Sequence, residues 1–267
     1  MMPVLLLPPR VTPDSQVLHQ TALKLDWQVE RLENWRPPAR LRDEDIVLYG
    51  EPLFADVVAG PLGLALLETP PDWLTRVPRQ YLQRDIHTAT LAEARHCSKP
   101  AFIKPALDKC FPAGVYASGA SLPPNTSLLP EDTPVLLADP VQWSIEFRCF
   151  VLERTPITLS PYLRDGELAQ AEDGRWPASS EEYEDAKQFY DLVLSDPSIA
   201  LPSAVVLDVG QIAGTGWAII EANGAWGSGI YGCSPEGVLA VLRRATLKEA
   251  LVTPDDRAWV RPLPEVF

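Results

Sequence analysis

The chain has 267 residues, enough for one large domain or two small ones. With 46% hydrophobic and 22% charged residues, it has the make-up of an ordinary globular protein, which excludes disulfide-dense, collagen-like and wholly disordered chains. Thirty-six acidic against 23 basic residues leave a formal net charge of −13, so no nucleic-acid partner and no anionic membrane surface is expected, although a local basic pocket for phosphate is compatible.

The first ten residues, MMPVLLLPPR, hold an apolar run of five before two prolines. That run is too short for a signal peptide's core and far too short to cross a bilayer, and a cytoplasmic protein is expected. Residues 4–7 read as a buried strand, 13–25 as a helix and 27–32 as a second strand. Two further short β runs lie at 46–49 and 63–67, with proline turns at 37–38 and 70–71. Strands alternating with helices predict a small parallel α/β domain over residues 1–83.

Beyond residues 79–91 the pattern changes. Runs at 101–104, 134–138, 144–152 and 157–163 read as strands, and Asp165-Gly166 is a hairpin turn signal. Ser179 with Glu182 forms a capping-box pattern, followed by Tyr183, Ala186, Tyr190, Val193 and Leu194 on one helical face. Residues 204–209 and 217–221 are strands again. Ser234-Pro235 opens a last helix carrying Val238, Val241, Leu242 and Ala245 on one face. These elements predict an antiparallel α+β domain over 84–250, with 251–267 as a tail.

The four cysteines, Cys97, Cys110, Cys149 and Cys233, include no CxxC pair, so buried free thiols are expected rather than a zinc cage. No P-loop Gly-Lys-Ser/Thr occurs. The histidines His19, His87 and His96 have no assigned role.

The most informative stretch is VVLDVGQIAGTGWAIIEANGAWGSG. If Gly214-Thr215 is a two-residue turn, Ile212 pairs with Trp217 and Asp208 falls opposite Glu221. Side chains directly opposite share a face, about 4.5–5.5 Å apart at Cβ. Asn223 joins that face two residues on. Like charges at this spacing repel, and a hard cation such as Mg²⁺ is a natural reason for the arrangement. An exposed hairpin with two solvated acids is the alternative. Lys104 ends the strand AFIK as either a snorkelling lysine or a phosphate ligand. Glu146 and Arg148 share a strand face, as a surface ion pair or as site residues.

In order, these pieces resemble the ATP-grasp superfamily: a lysine on a strand, a flap, a hinge, Glu-x-Arg, then Asp and Glu-x-Asn. FIKP, EFRCF, YLRDG, LDVG and EANGAWG are most similar to its R-two-K clade. The resemblance covers about residues 79–247. It implies two α+β halves around an ATP site, behind a small pre-ATP-grasp-like α/β domain. By family analogy Lys104 holds ATP phosphates, and backbone around Asp139, Val141 and Gln142 reads adenine. Glu146 binds ribose, and Asp208, Glu221 and Asn223 hold Mg²⁺. Arg148 and Arg164, as catalytic residues, face the phosphates or the acyl phosphate, and Arg84 stands in for a first phosphate-binding lysine. Lys109 is a further phosphate candidate, in a lid over residues 109–118. Val206 departs from the family, whose members often carry arginine there. The implied reaction is ADP-forming ligation of a small-molecule or peptide carboxylate to an amine through an acyl phosphate. A non-catalytic nucleotide-binding module and a phosphotransferase without ligation are the alternatives. The acid, the amine and the oligomeric state are not legible.

Overall fold

The computed structural model describes residues 2–106, 110–126 and 129–263. The chain opens with β1 (Pro3–Leu7), α1 (Pro13–Lys24), β2 (Gln28–Arg31), β3 (Asp45–Leu48), α2 (Pro52–Leu62) and β4 (Leu64–Leu66). Thr12 caps α1: its side chain accepts from the Ser15 N–H, and Pro13 sits where no intrahelical donor is needed. Strands β1, β2 and β3 form a parallel sheet in the order β2-β1-β3. The fourth expected strand does not join it. β4 pairs antiparallel with a strand from the other end of the chain, Thr246–Lys248.

The chain continues through α3 (Arg79–Leu82), β5 (Ile86–Thr90), α4 (Leu91–Ala94), β6 (Ala101–Pro105), β7 (Gly114–Tyr116) and β8 (Pro134–Ala138). An antiparallel sheet of order β5-β8-β6-β7 results. Then come β9 (Trp143–Leu152), β10 (Thr155–Arg164), β11 (Glu167–Leu168), α5 (Ser180–Ser195), β12 (Ala204–Ile212), β13 (Gly216–Asn223), α6 (Pro235–Ala245) and β14 (Thr246–Lys248). The five strands β11-β10-β9-β12-β13 form a second antiparallel sheet. Asp165-Gly166 closes the β10–β11 hairpin, and Ser179 and Glu182 form the reciprocal cap of α5.

The strand period of two divides this sheet into unlike faces. On β9 and β12, Phe147, Cys149, Val151, Val205, Leu207 and Val209 pack with Ala186, Tyr190, Val193 and Leu194 of α5. The opposite face carries Phe150, Ala204 and Val206 into a core shared with α6 and the parallel sheet. Farther along that same face the apolar side chains give way to Arg148, Asp208 and Glu146. Pairing of β9 with β12 places Arg148 beside Asp208 and Glu146 beside Gly210. The polar group therefore begins where the cover of α6 stops. A third, smaller core lies under α4 on the four-stranded sheet.

All four cysteines are free. Cys149 and Cys233 are buried as expected, but Cys97 is half-buried and Cys110 exposed. Burial raises the Cys233 thiol to about 12. Among the described residues no helix is long and apolar enough to cross a membrane.

Gly210 is a tight backbone position beside the polar face. A Cβ there would lie 2.7 Å from the Trp143 ring, 2.9 Å from Ile220 Cδ1 and 3.0 Å from the Ile145 carbonyl oxygen. The expected outcome for Gly210→Ala is a loss of about 1–3 kcal/mol, the scale of overpacking. Urea denaturation of variant and wild type checks it; equal midpoints would show that the sheet yields at no cost.

Candidate functional site

The site is built around the hairpin of β12 and β13, and the hairpin differs from the simple count. The turn is three residues long, not two: Ile212 pairs with Gly216 and Gln211 with Trp217. The Thr215 N–H donates to the Ile212 carbonyl at 3.0 Å, and Gly214 takes the left-handed backbone (φ 74°) that this turn needs. Continued without interruption, that register would set Glu221 opposite Leu207, on the sheet's other face from Asp208. A bulge restores the pairing. Val209 pairs with Ile219 and Asp208 with Glu221, so Ile220 is the extra residue. The expected pair is thus present, by a different route: a longer turn offset by an inserted strand residue.

Asp208 is fully buried, and Arg148 on the neighbouring strand holds it with two parallel bonds: Nε to Oδ1 at 2.9 Å and a terminal nitrogen to Oδ2 at 2.7 Å. This fork suits a planar guanidinium and a carboxylate. Another Arg148 nitrogen donates to the Gly229 carbonyl at 3.1 Å. The guanidinium also lies 5.3 Å from the Tyr162 ring and 5.0 Å from the Tyr231 ring. Tyr231 adopts φ 46°, a conformation that costs a non-glycine residue on the order of 1 kcal/mol. Stacking on Tyr162 at 5.1 Å and edge contact with Trp176 at 5.3 Å hold it there. The same loop is tied to the parallel sheet's unit, since Asp14 accepts from the Ile230 N–H at 3.0 Å and from the Tyr49 hydroxyl at 3.2 Å.

Glu221 is reached from the other sheet. Lys104 Nζ, on β6, lies 2.8 Å from Glu221 Oε2, and Asn223 Nδ2 donates to Oε1 at 2.9 Å. Glu146 is buried and accepts from the Tyr162 hydroxyl at 2.6 Å. Burial raises the Glu146 carboxyl above its ordinary value against the Tyr162 bond, and it likewise raises Asp208 against Arg148. At Glu221 burial also pushes upward, but Lys104 and Asn223 outweigh it and hold the carboxyl at about 2.

Lys104, Glu146, Arg148, Asp208, Glu221 and Asn223 therefore come together. Asp139 directly follows β8, and its carboxylate accepts from the Asp85 N–H at 3.0 Å. Val141 and Gln142 follow in the link to β9, and the Gln142 carbonyl accepts from the Ala213 N–H at 3.0 Å. Arg164 does not reach the cluster. It ends β10 at the surface and forks onto Glu182 at 2.7 and 3.1 Å, because a bulge between Pro161 and Leu163 sets it opposite Ile145, on the face of the sheet that α5 covers. Arg84 is also corrected: its guanidinium is buried and bonded to the main-chain carbonyls of Leu82, Ile219 and Ile220. Lys109 lies outside the described residues. Tyr162 and Tyr231 went unnoticed in the sequence. Tyr162 stands two residues before Arg164 in YLRDG, but only strand pairing brings it to Glu146.

Two carboxylates and the Asn223 side-chain oxygen are donors that suit a hard cation. Among the described residues no group of three or more His, Cys, Asp or Glu could hold a metal ion by itself. The donor set therefore fits Mg²⁺ shared with phosphate oxygens better than a cation caged by protein alone.

Replacing Lys104 by methionine removes the cation that holds Glu221 down, so its carboxyl should rise from about 2 toward the ordinary range near 4.5. A depressed carboxyl adds stability above its unfolded value and loses it as pH falls through the folded value. Wild type should therefore lose this contribution between about pH 4.5 and 2, and the variant should not. Carboxylate NMR titration in chelator checks the shift; an unmoved Glu221 would mean that Lys104 is not its controlling partner.

Over residues 81–241 the sequence matches the model of an ATP-grasp domain, family 2 of the R-two-K clade. No curated protein matches it. Among solved structures, the chain is similar to a RimK-domain ATP-grasp protein from Sphaerobacter thermophilus DSM 20745. That match has a TM-score of 0.52 at 14% identity and covers 91% of this chain and 97% of that one. It is also similar to D-alanine–D-alanine ligase from Bacillus anthracis, with a TM-score of 0.50 at 11% identity, covering 92% of this chain and 96% of that one. At such identities the structures speak for the fold, and the sequence match over more than half of the chain speaks for the family: this is a member of the R-two-K clade of ATP-grasp proteins.

Proposed function

We propose that the protein is an ATP-dependent, ADP-forming carboxylate–amine ligase. The observation that carries this reading is the meeting of Lys104, from one sheet, with Glu221, Asp208 and Arg148 of the other. Facing acids and flanking cations of this kind suit a polyphosphate with its metal.

In this reading the backbone of 139–142 borders adenine, and Glu146 offers the ribose hydroxyls its carboxylate oxygen Oε1, the one Tyr162 does not take. Lys104 turns from Glu221 to the phosphates. Asp208, Glu221 and Asn223 would hold Mg²⁺, which supplies charge neutralisation at the β- and γ-phosphates. Arg148 takes the role for which Val206 has no charge, since Arg148 lies beside Asp208 on the adjacent strand. A substrate carboxylate oxygen bonds to the γ-phosphorus as the bond to the β–γ bridging oxygen breaks, releasing ADP. An amine nitrogen then bonds to the acyl carbon, phosphate leaves, and the amine gives up a proton. Arg148 and Lys104 offset the charge that builds on the transferring oxygens. The protein is expected to act as a cytoplasmic enzyme on a small-molecule or peptide acid and amine.

The test is ADP release with Mg²⁺ over pools of amino acids and peptides, beside thermal melting. Mg-ATP at about 100 times its Kd should stabilise the fold by roughly 2.7 kcal/mol. Glu221→Gln should change apo stability by only about 0–1 kcal/mol, the scale of a partly exposed ion pair. Its turnover should fall about a hundredfold or more, because several kcal/mol of transition-state stabilisation depend on the metal. Absence of any melting shift with Mg-ATP, or wild-type turnover in Glu221→Gln, would refute the reading.

A further inference from the structure

The bulge in β13 is an unusual place to anchor a site residue. Ile220 has no partner on β12, and β13 is the last strand of its sheet. Main-chain carbonyls at a bulge on a sheet edge need partners from elsewhere when buried. Arg84 supplies them. One terminal nitrogen donates to the Ile219 carbonyl at 2.8 Å and to the Leu82 carbonyl at 2.9 Å, and the other reaches the Ile220 carbonyl at 3.4 Å. Arg84 is 7% exposed, and its guanidinium lies 5.0 Å from the Trp143 ring. Burial lowers its pKa to about 10, against the opposing pull of Glu146.

The location adds a second link. Arg84 precedes β5, in the other sheet, and the next residue is bonded to the hinge. The Asp139 N–H donates to the Asp85 carbonyl at 3.1 Å, and the Asp139 carboxylate accepts from the Asp85 N–H at 3.0 Å. A one-residue slip in a strand turns its side chains to the opposite face. Loss of the bulge would therefore turn Glu221 away from Asp208.

We propose that Arg84 is a positioning residue that clamps the Ile219–Ile220 bulge and so keeps Glu221 on the face of Asp208. The proposal rests on the metal-nucleotide reading given above. It replaces a direct phosphate contact: the Arg84 donors are engaged by main-chain oxygens.

The experiment is calorimetric binding of ADP to the full chain, with Mg²⁺ and with EDTA, for wild type, Arg84→Met and Arg84→Lys. Wild type should bind ADP more tightly with Mg²⁺. Arg84→Met should cut that enhancement at least fivefold while leaving affinity in EDTA within twofold. Arg84→Lys keeps the charge without the planar fork and should recover only part of it; it also carries the comparison if the methionine variant does not fold. An equal loss with and without Mg²⁺ would mean a direct phosphate contact and overturn the proposal. So would an unchanged enhancement in Arg84→Met, which leaves the ligase reading standing. A wild type indifferent to Mg²⁺ would overturn both.

Discussion

The paired charges of Arg148 and Asp208 are the constraint around which this site is organised. A carboxylate with no exposed surface, on a central strand, is costly unless a cation and full hydrogen bonding accompany it. Arg148 meets that demand with a two-pronged bond from the adjacent strand. Its remaining reach goes to the Gly229 carbonyl, and its faces go to Tyr162 and Tyr231. The loop carrying Gly229 is held in turn by Asp14. A single buried ion pair thus links the sheet, the loop after β13 and the first helix.

The position of that pair follows from how the five-stranded sheet is covered. α5 lies over one face of β9 and β12, and the side chains there are apolar along the shared length. α6 and the parallel sheet cover only part of the other face. The same alternation that buries Phe150 and Val206 brings up Arg148 and Asp208 next, where the loop of Gly229 and Tyr231 takes over from the apolar cover of α6.

Lys104 supplies the corresponding link between the two antiparallel sheets. Its bond to Glu221 crosses from β6 to β13. With Asn223 it offsets the desolvation of Glu221, so the carboxylate remains ionised. Val206 brings no charge to its position, whereas Arg148 of the neighbouring strand stands directly beside Asp208. Basic charge can reach the same point from either of two adjacent strands, which a motif read along one strand does not register.

Local chemistry made much of this protein legible in its sequence. Capping boxes, proline positions and alternating apolar runs placed most helices and strands, because these signals act over a few residues. The family resemblance identified most of the residues that meet at the site. Pairing over longer distances was not legible. β4 joins β14 rather than the parallel sheet, because hydrogen-bond partners far apart in sequence leave no local mark. Arg164 and Arg84 look like site residues by type, yet one turns outward to Glu182 and the other inward to a bulge. The opposition of Asp208 and Glu221 shows both levels at once. The spacing of the two acids determined that they could meet, whereas the three-residue turn and the extra residue Ile220 decided how they do. A turn and a bulge each shift register by one, and only the folded sheet, with its buried carbonyls needing donors, selects the combination in which the shifts cancel.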